Sequence, residues 1–95
     1  MNLHAWAYST SAGITLRGWH TTPSGKPVLH FLHGNGLGTR VYTPVLELLS
    51  ADFDLWLCDI QGHGESDTGT HFLGWNRNAE LAVEAFQAQR SIFAD

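Results

Sequence analysis

The sequence predicts an α/β fold with a mostly parallel sheet. Three observations point to it. Two short apolar runs, at residues 28–32 and 53–58, each end in a glycine-rich polar loop. An amphipathic stretch with helical spacing follows each loop, and a pair of β-prone segments precedes the whole. With 95 residues the chain has room for one domain, spanning residues 1–95.

The elements follow in order. Ala5-Trp6-Ala7-Tyr8-Ser9-Thr10 is β-prone, Ser11-Ala12-Gly13 is a turn, and Ile14-Thr15-Leu16-Arg17-Gly18-Trp19-His20 alternates apolar and polar residues, which predicts a hairpin. Residues 21–27 hold two prolines and a glycine and form a loop. Val28-Leu29-His30-Phe31-Leu32 is nearly continuous in its apolar character, as in a strand covered on both faces. After the loop at 33–38, Val41, Val45, Leu48 and Leu49 share one face of a predicted helix, and Pro44 suits its start. Residues 53–58 predict a second strand of the same kind. Residues 75–93 predict a second helix, with Trp75, Ala79, Ala82, Val83, Phe86 and Phe93 facing the core.

Composition excludes several functions. Nine acidic residues against five basic ones give a formal charge of −4, which argues against a nucleic-acid partner. The single cysteine, Cys58, cannot form an internal disulfide, and no apolar run approaches the ~18 residues of a membrane span. The first residues lack the basic and apolar regions of a signal peptide, so the expected compartment is the cytoplasm, with no membrane partner. In open α/β sheets ligands bind beyond the carboxyl ends of the strands, which places any site at residues 33–38 and 59–67.

Those two loops carry the chemistry. His33-Gly34-Asn35-Gly36 follows the first apolar strand, and Asp59-Ile60-Gln61-Gly62-His63-Gly64-Glu65-Ser66 follows the second. The first resembles the oxyanion loop of the α/β-hydrolase fold. The second resembles the D-x-x-G-x-G-x-S loop of the same family, and the helix between them fits its order. The resemblance covers roughly residues 5–90. It implies the N-terminal part of such a domain, a hairpin followed by β-α-β-α, truncated before the nucleophile strand. It also implies cofactor-free hydrolysis of a small carboxylic ester or amide in the intact protein.

Acyl transfer builds negative charge on a carbonyl oxygen, and backbone N–H groups aimed at that oxygen stabilise it. The resemblance assigns one such donor to the backbone N–H of Asn35. Gly34 and Gly36 let the loop turn, and His33 holds it by a ring hydrogen bond. Asp59, Gly62, His63, Gly64 and Ser66 form the structural second loop, with Asp59 accepting N–H bonds from it. Cys58 reads as a small buried hydrophobe, and Trp6, Trp19, Trp56 and Trp75 as core or interface bulk. Asn76 and Asn78 cap a helix or face solvent. His30, His33, His63 and His71 lack ligand spacing, so no metal is expected.

The family's nucleophile motif, G-x-S-x-G, does not occur in these 95 residues; Gly64-Glu65-Ser66-Asp67-Thr68 fails at its last position and lies on the wrong loop. No catalytic acid or histidine is recognisable either, so the chain alone is expected to be inactive. The strand at 28–32 is left with an open edge, which predicts self-association. An aspartate nucleophile, as in dehalogenases and epoxide hydrolases, stays open. Two other classes also stay open. Gly34-Asn35-Gly36-Leu37-Gly38-Thr39 partly matches a dinucleotide-binding turn, with Asp54 as the ribose acid. The chain is alternatively a non-catalytic partner completing another chain's sheet.

Overall fold

The computed structural model describes residues 1–94; Asp95, the last residue of the predicted domain, lies outside the described residues. Strands β1 (Leu3–Ser9) and β2 (Thr15–Thr21) form the hairpin, and β3 (Val28–Leu32) leads through a 3₁₀ turn (Thr39–Tyr42) to α1 (Thr43–Leu49). β4 (Asp54–Asp59) and α2 (Trp75–Gln89) follow, with a last 3₁₀ turn at Arg90–Phe93. The sheet order is β1-β2-β4-β3. β3 and β4 pair in parallel, while the hairpin joins the other flank of β4 antiparallel, so the sheet is mixed.

The helices lie on opposite faces. On one face Leu46 of α1 packs on Leu55 and Leu57, with Phe31, Tyr42 and Trp19 around them. On the other, Leu81, Ala82 and Ala85 of α2 pack on Trp6, Leu16, Trp56 and Cys58. β4 lies in the middle of this sandwich and is buried at every position.

The indoles explain the small residues on α2. Trp6 and Trp56 stack at 4.5 Å and 10°, filling the layer that larger helix residues would otherwise occupy. The Trp6 indole N–H reaches across β2 to the carbonyls of Leu57, at 3.1 Å, and Trp19, at 3.2 Å. It passes over Gly18, where any Cβ would run into the Leu57 carbonyl. Gly18 therefore serves a close approach between strands.

Three details differ from the sequence reading. In α1, Val41, Val45 and Leu48 face solvent, at 61%, 51% and 77% exposure, while Leu46 is fully buried. Val41 belongs to the 3₁₀ turn, whose 3.0 residues per turn shift the phase, so counting helical spacing from it picks the wrong face. In α2, Trp75, Ala79 and Val83 are exposed, and the buried side is Asn78, Leu81, Ala82 and Ala85. The stacked indoles select small residues and Leu81 at that contact. In β3, Val28 and Leu32 are exposed and the residues between are half-buried, because β3 is an edge strand rather than a covered one.

Glu84 fastens the hairpin turn to α2. Its carboxylate accepts from Ser11 N at 2.8 Å, from the Ser11 hydroxyl, and from Tyr8 Oη at 3.0 Å. These donors hold its carboxyl below the usual glutamate range, the Ser11 hydroxyl first among them.

His30 of β3 lies between Trp56, edge-on at 4.4 Å, and Phe86, stacked at 5.3 Å. Its Nε2 is buried without a hydrogen-bond partner among the described residues, and burial pushes its pKa below the usual 6.5. The unfolded chain takes up the imidazole proton before the folded chain does. The contribution of His30 to stability is thus complete above about pH 6.5 and falls as the pH drops below it. His30→Phe removes the orphaned nitrogen and keeps the stack. It is expected to raise Tm and to flatten the decline in stability between pH 6.5 and the carboxylate range, as followed by thermal melts. An unchanged pH dependence in the variant would remove His30 as its source.

Candidate functional site

The loops that leave the carboxyl ends of β3 and β4 lie side by side and are tied to each other by side chains that cross between them. Asp59, the last residue of β4, is buried. One carboxylate oxygen accepts from Thr39 N at 2.9 Å, beyond the first loop, and the other from Glu65 N at 3.1 Å, in its own loop. Gly64 has φ +49°, and a Cβ there would collide with the same carboxylate, so only glycine fits.

Two histidines cross between the loops in opposite directions. His33 Nε2 accepts from Ile60 N, and His63 Nε2 accepts from Gly36 N, both at 3.0 Å. Each ring also contacts a carbonyl through Nδ1, His33 with Gly34 at 2.8 Å and His63 with Gln61 at 3.0 Å. A carbonyl can only accept, so Nδ1 carries the proton and Nε2 is the acceptor in both rings. The ring centroids are 4.8 Å apart. Ser66 ties the second loop to the hairpin, since its hydroxyl donates to the Asp59 carbonyl and accepts from Arg17 N at 2.7 Å. Gly62 N bonds the Asp67 carbonyl at 2.9 Å and closes that loop.

At the tip of the first loop the N–H groups on either side of Asn35 are taken. Gly34 N donates to Tyr42 Oη at 3.1 Å, Gly36 N to His63, and Leu37 N to the Gly34 carbonyl at 3.2 Å. Gly36 supplies the positive φ, +77°, at the third position of that turn. Asn35 is exposed, and its N–H has no partner among the described residues. The reason lies in the peptide it shares with Gly34. The Gly34 carbonyl is drawn inward by His33 Nδ1–H and Leu37 N–H. In a trans peptide the N–H points opposite to the C=O, so the Asn35 N–H faces outward.

Three further residues complete the site, and sequence reasoning assigned them no such role. Tyr42 is one. Gln61 and Asn78 are the others, both buried. Gln61 Nε2 donates to the carbonyls of Thr68 and His71 at 2.8 and 2.7 Å, and its Oε1 accepts from Leu73 N at 2.9 Å. Asn78 was expected at a cap or in solvent; instead its Oδ1 accepts from Gln61 N at 3.1 Å and its amide donates to Gly74 O at 2.8 Å. It is the polar residue at the buried phase of α2, a phase that the apolar pattern misses. A hollow of about 220 Å³ opens beside His63, between Gln61 and Phe72. That is below the ~300–1,000 Å³ of ordinary ligand pockets.

Cys58 is fully buried, and burial pushes its thiol far above the usual range, so it does not act as a thiolate. No group of three or more metal-ligating side chains occurs among the described residues. Asp54 starts β4 at the end away from both loops, and its carboxylate accepts from Ser24 N at 2.9 Å and the Ser24 hydroxyl. A ribose acid would stand at the loop end, so the geometry does not favour a dinucleotide.

Comparisons with known proteins agree with this fold. Over 94% of the chain, the structure superposes on a hydrolase from Pseudomonas aeruginosa PA01 with a TM-score of 0.81 and 25% identity, covering 33% of that protein. A haloalkane dehalogenase loop variant from Bradyrhizobium elkanii gives a TM-score of 0.80 at 18% identity, with 94% of this chain and 29% of that one covered.

The chain carries the N-terminal portion of the α/β-hydrolase fold.

Among curated proteins, the pimeloyl-[acyl-carrier protein] methyl ester esterase of Edwardsiella ictaluri is 43% identical over 54 residues, 57% of this chain. The chain spans about a fifth of that relative's length, 21%. No family model matches. In this chain the two glycine loops stand at the carboxyl ends of β3 and β4.

Asp59→Asn tests the join between the loops. The variant turns one acceptor into a donor facing a backbone N–H. It is expected to lower stability by about 1–3 kcal/mol in urea unfolding, with Gly64→Ala at least as damaging. Wild-type stability in Asp59→Asn would mean that the carboxylate does not join the loops.

Proposed function

We propose that this chain supplies the oxyanion loop of a cofactor-free α/β hydrolase acting on a small carboxylic ester. The Asn35 backbone N–H is one donor to the carbonyl oxygen. The observation that carries the reading is that N–H, unpaired and turned outward while its neighbours at Gly34, Gly36 and Leu37 are all bonded. His33, Gly34 and Gly36 shape that loop; Asp59, Gly62, His63, Gly64 and Ser66 brace it and take no part in bond making. The ester preference is supported by the curated relatives from Edwardsiella ictaluri and Proteus mirabilis, both named as methyl ester esterases, at 43% and 42% identity.

A free donor alone does not hydrolyse an ester. The nucleophile, its acid and its histidine are not recognisable in the sequence, so the chain by itself is catalytically silent. The outer edge of β3, with Val28 and Leu32 exposed, accepts a further strand; in the isolated chain it takes a second copy. We propose a cytoplasmic location, which the single cysteine, unable to form an internal disulfide, is consistent with. No helix among the described residues is long and apolar enough to cross a membrane.

Reading the gene past codon 95, and assaying its product on short-chain p-nitrophenyl esters, tests the proposal. The expected result is a G-x-S-x-G motif downstream and ester turnover lost when its serine becomes alanine, with the 95-residue chain alone at the buffer rate. An aspartate in the serine's place would move the chemistry to dehalogenation or epoxide opening. A product with neither motif nor turnover would contradict the proposal.

A further inference from the structure

We propose that Tyr42 and His63 are positioning residues that hold the Asn35 N–H as an open donor, one from each side. The proposal rests on the oxyanion reading above. Neither side chain needs to touch a substrate; both act through the backbone.

Asn35 stands between two N–H groups, each pinned by a side chain from outside the loop. On one side Gly34 N donates to Tyr42 Oη at 3.1 Å. The tyrosine ring meets Phe31 of β3 edge-on at 5.0 Å, so the sheet sets the height of the hydroxyl under the loop. On the other side Gly36 N donates to His63 Nε2 at 3.0 Å. The His63 ring cannot turn away freely, because Nδ1 donates to the Gln61 carbonyl and the His33 ring packs against it at 4.8 Å. The peptide planes before and after the Asn35 N–H are thus fixed independently, by the 3₁₀ turn and by the second loop. The plane of that N–H is fixed by the Gly34 carbonyl. A donor stabilises a developing oxyanion to the extent that it is already oriented. Releasing either flanking N–H lets the Gly34–Asn35 peptide rotate, and the donor loses its aim without losing its identity.

Acetate serves as the probe, its carboxylate oxygen standing for the oxyanion, with ¹⁵N-labelled chain followed by NMR. In the native chain the Asn35 amide proton is expected to move downfield as acetate is added. Tyr42→Phe and His63→Ala each remove one acceptor and are expected to weaken that response by about fivefold, the equivalent of one lost hydrogen bond. Unchanged β4 amides would show that both variants fold. His63→Gln, whose side-chain oxygen can accept from Gly36 N, is expected to restore the response. Native-like acetate binding in both Tyr42→Phe and His63→Ala would overturn the positioning role and leave the oxyanion reading standing. Loss in His63→Ala without rescue by His63→Gln would overturn the part given to His63. A native Asn35 amide that ignores acetate would overturn the oxyanion reading and this proposal with it.

Discussion

A single buried carboxylate ties the second glycine-rich loop to the backbone just past the first. Asp59 ends the most buried strand of the sheet and spends one oxygen on Thr39 N and the other on Glu65 N. Neither N–H has a backbone partner: Thr39 opens the 3₁₀ turn, whose first N–H groups have none within it, and Glu65 lies in the second loop. A buried donor without a partner costs about 1–3 kcal/mol, and the carboxylate removes that penalty at Thr39 N while its second oxygen holds the exposed Glu65 backbone. Its bulk then dictates Gly64, where no side chain can stand. The histidine clasp builds on that join. With the loops in register, His33 reaches Ile60 and His63 reaches Gly36.

From this follows the orientation of the Asn35 N–H on which the proposed function rests. A loop tip of glycines would ordinarily be mobile, and a mobile N–H is a poor electrostatic partner because reorienting it costs what the interaction returns. Here His33 plays two parts, accepting from the second loop and donating to the Gly34 carbonyl. The second part turns the Asn35 N–H outward. The fold around it is economical: β4 carries core on both faces, α1 and α2 cover one face each, and the Trp6 indole ties β1 to β4 over Gly18.

The loops were legible in the sequence, and the helix faces were not. Glycines and small polar residues at fixed intervals after an apolar strand have few structural explanations. His33, Gly34, Asn35 and Gly36, with the run from Asp59 to Ser66, could therefore be placed without coordinates. The phase of α1 was hidden because the chain enters it through a 3₁₀ turn. A window that begins at Val41 then selects the outward side, although Leu46 is the residue the sheet needs. Tyr42 carries no local mark of its task; an aromatic eight residues after Gly34 becomes informative only when the turn folds it back. Asn78 and Gln61 were illegible for the opposite reason. Each is a buried amide bonded to the other and to backbone carbonyls; a polar residue in a helix pattern, as Asn78, and one in a polar loop, as Gln61, both ordinarily read as solvent-facing.

Amide hydrogen exchange across residues 33–66 of the unmodified chain tests the joined-loop account most directly. The account predicts slow exchange at Gly34, Gly36, Thr39, Ile60 and Glu65, whose partners are Tyr42, His63, Asp59, His33 and Asp59 in turn. It predicts near-free exchange at Asn35, the donor held open between Gly34 and Gly36. Rapid exchange at Thr39 and Glu65 together, or protection at Asn35 equal to that of its neighbours, would contradict it.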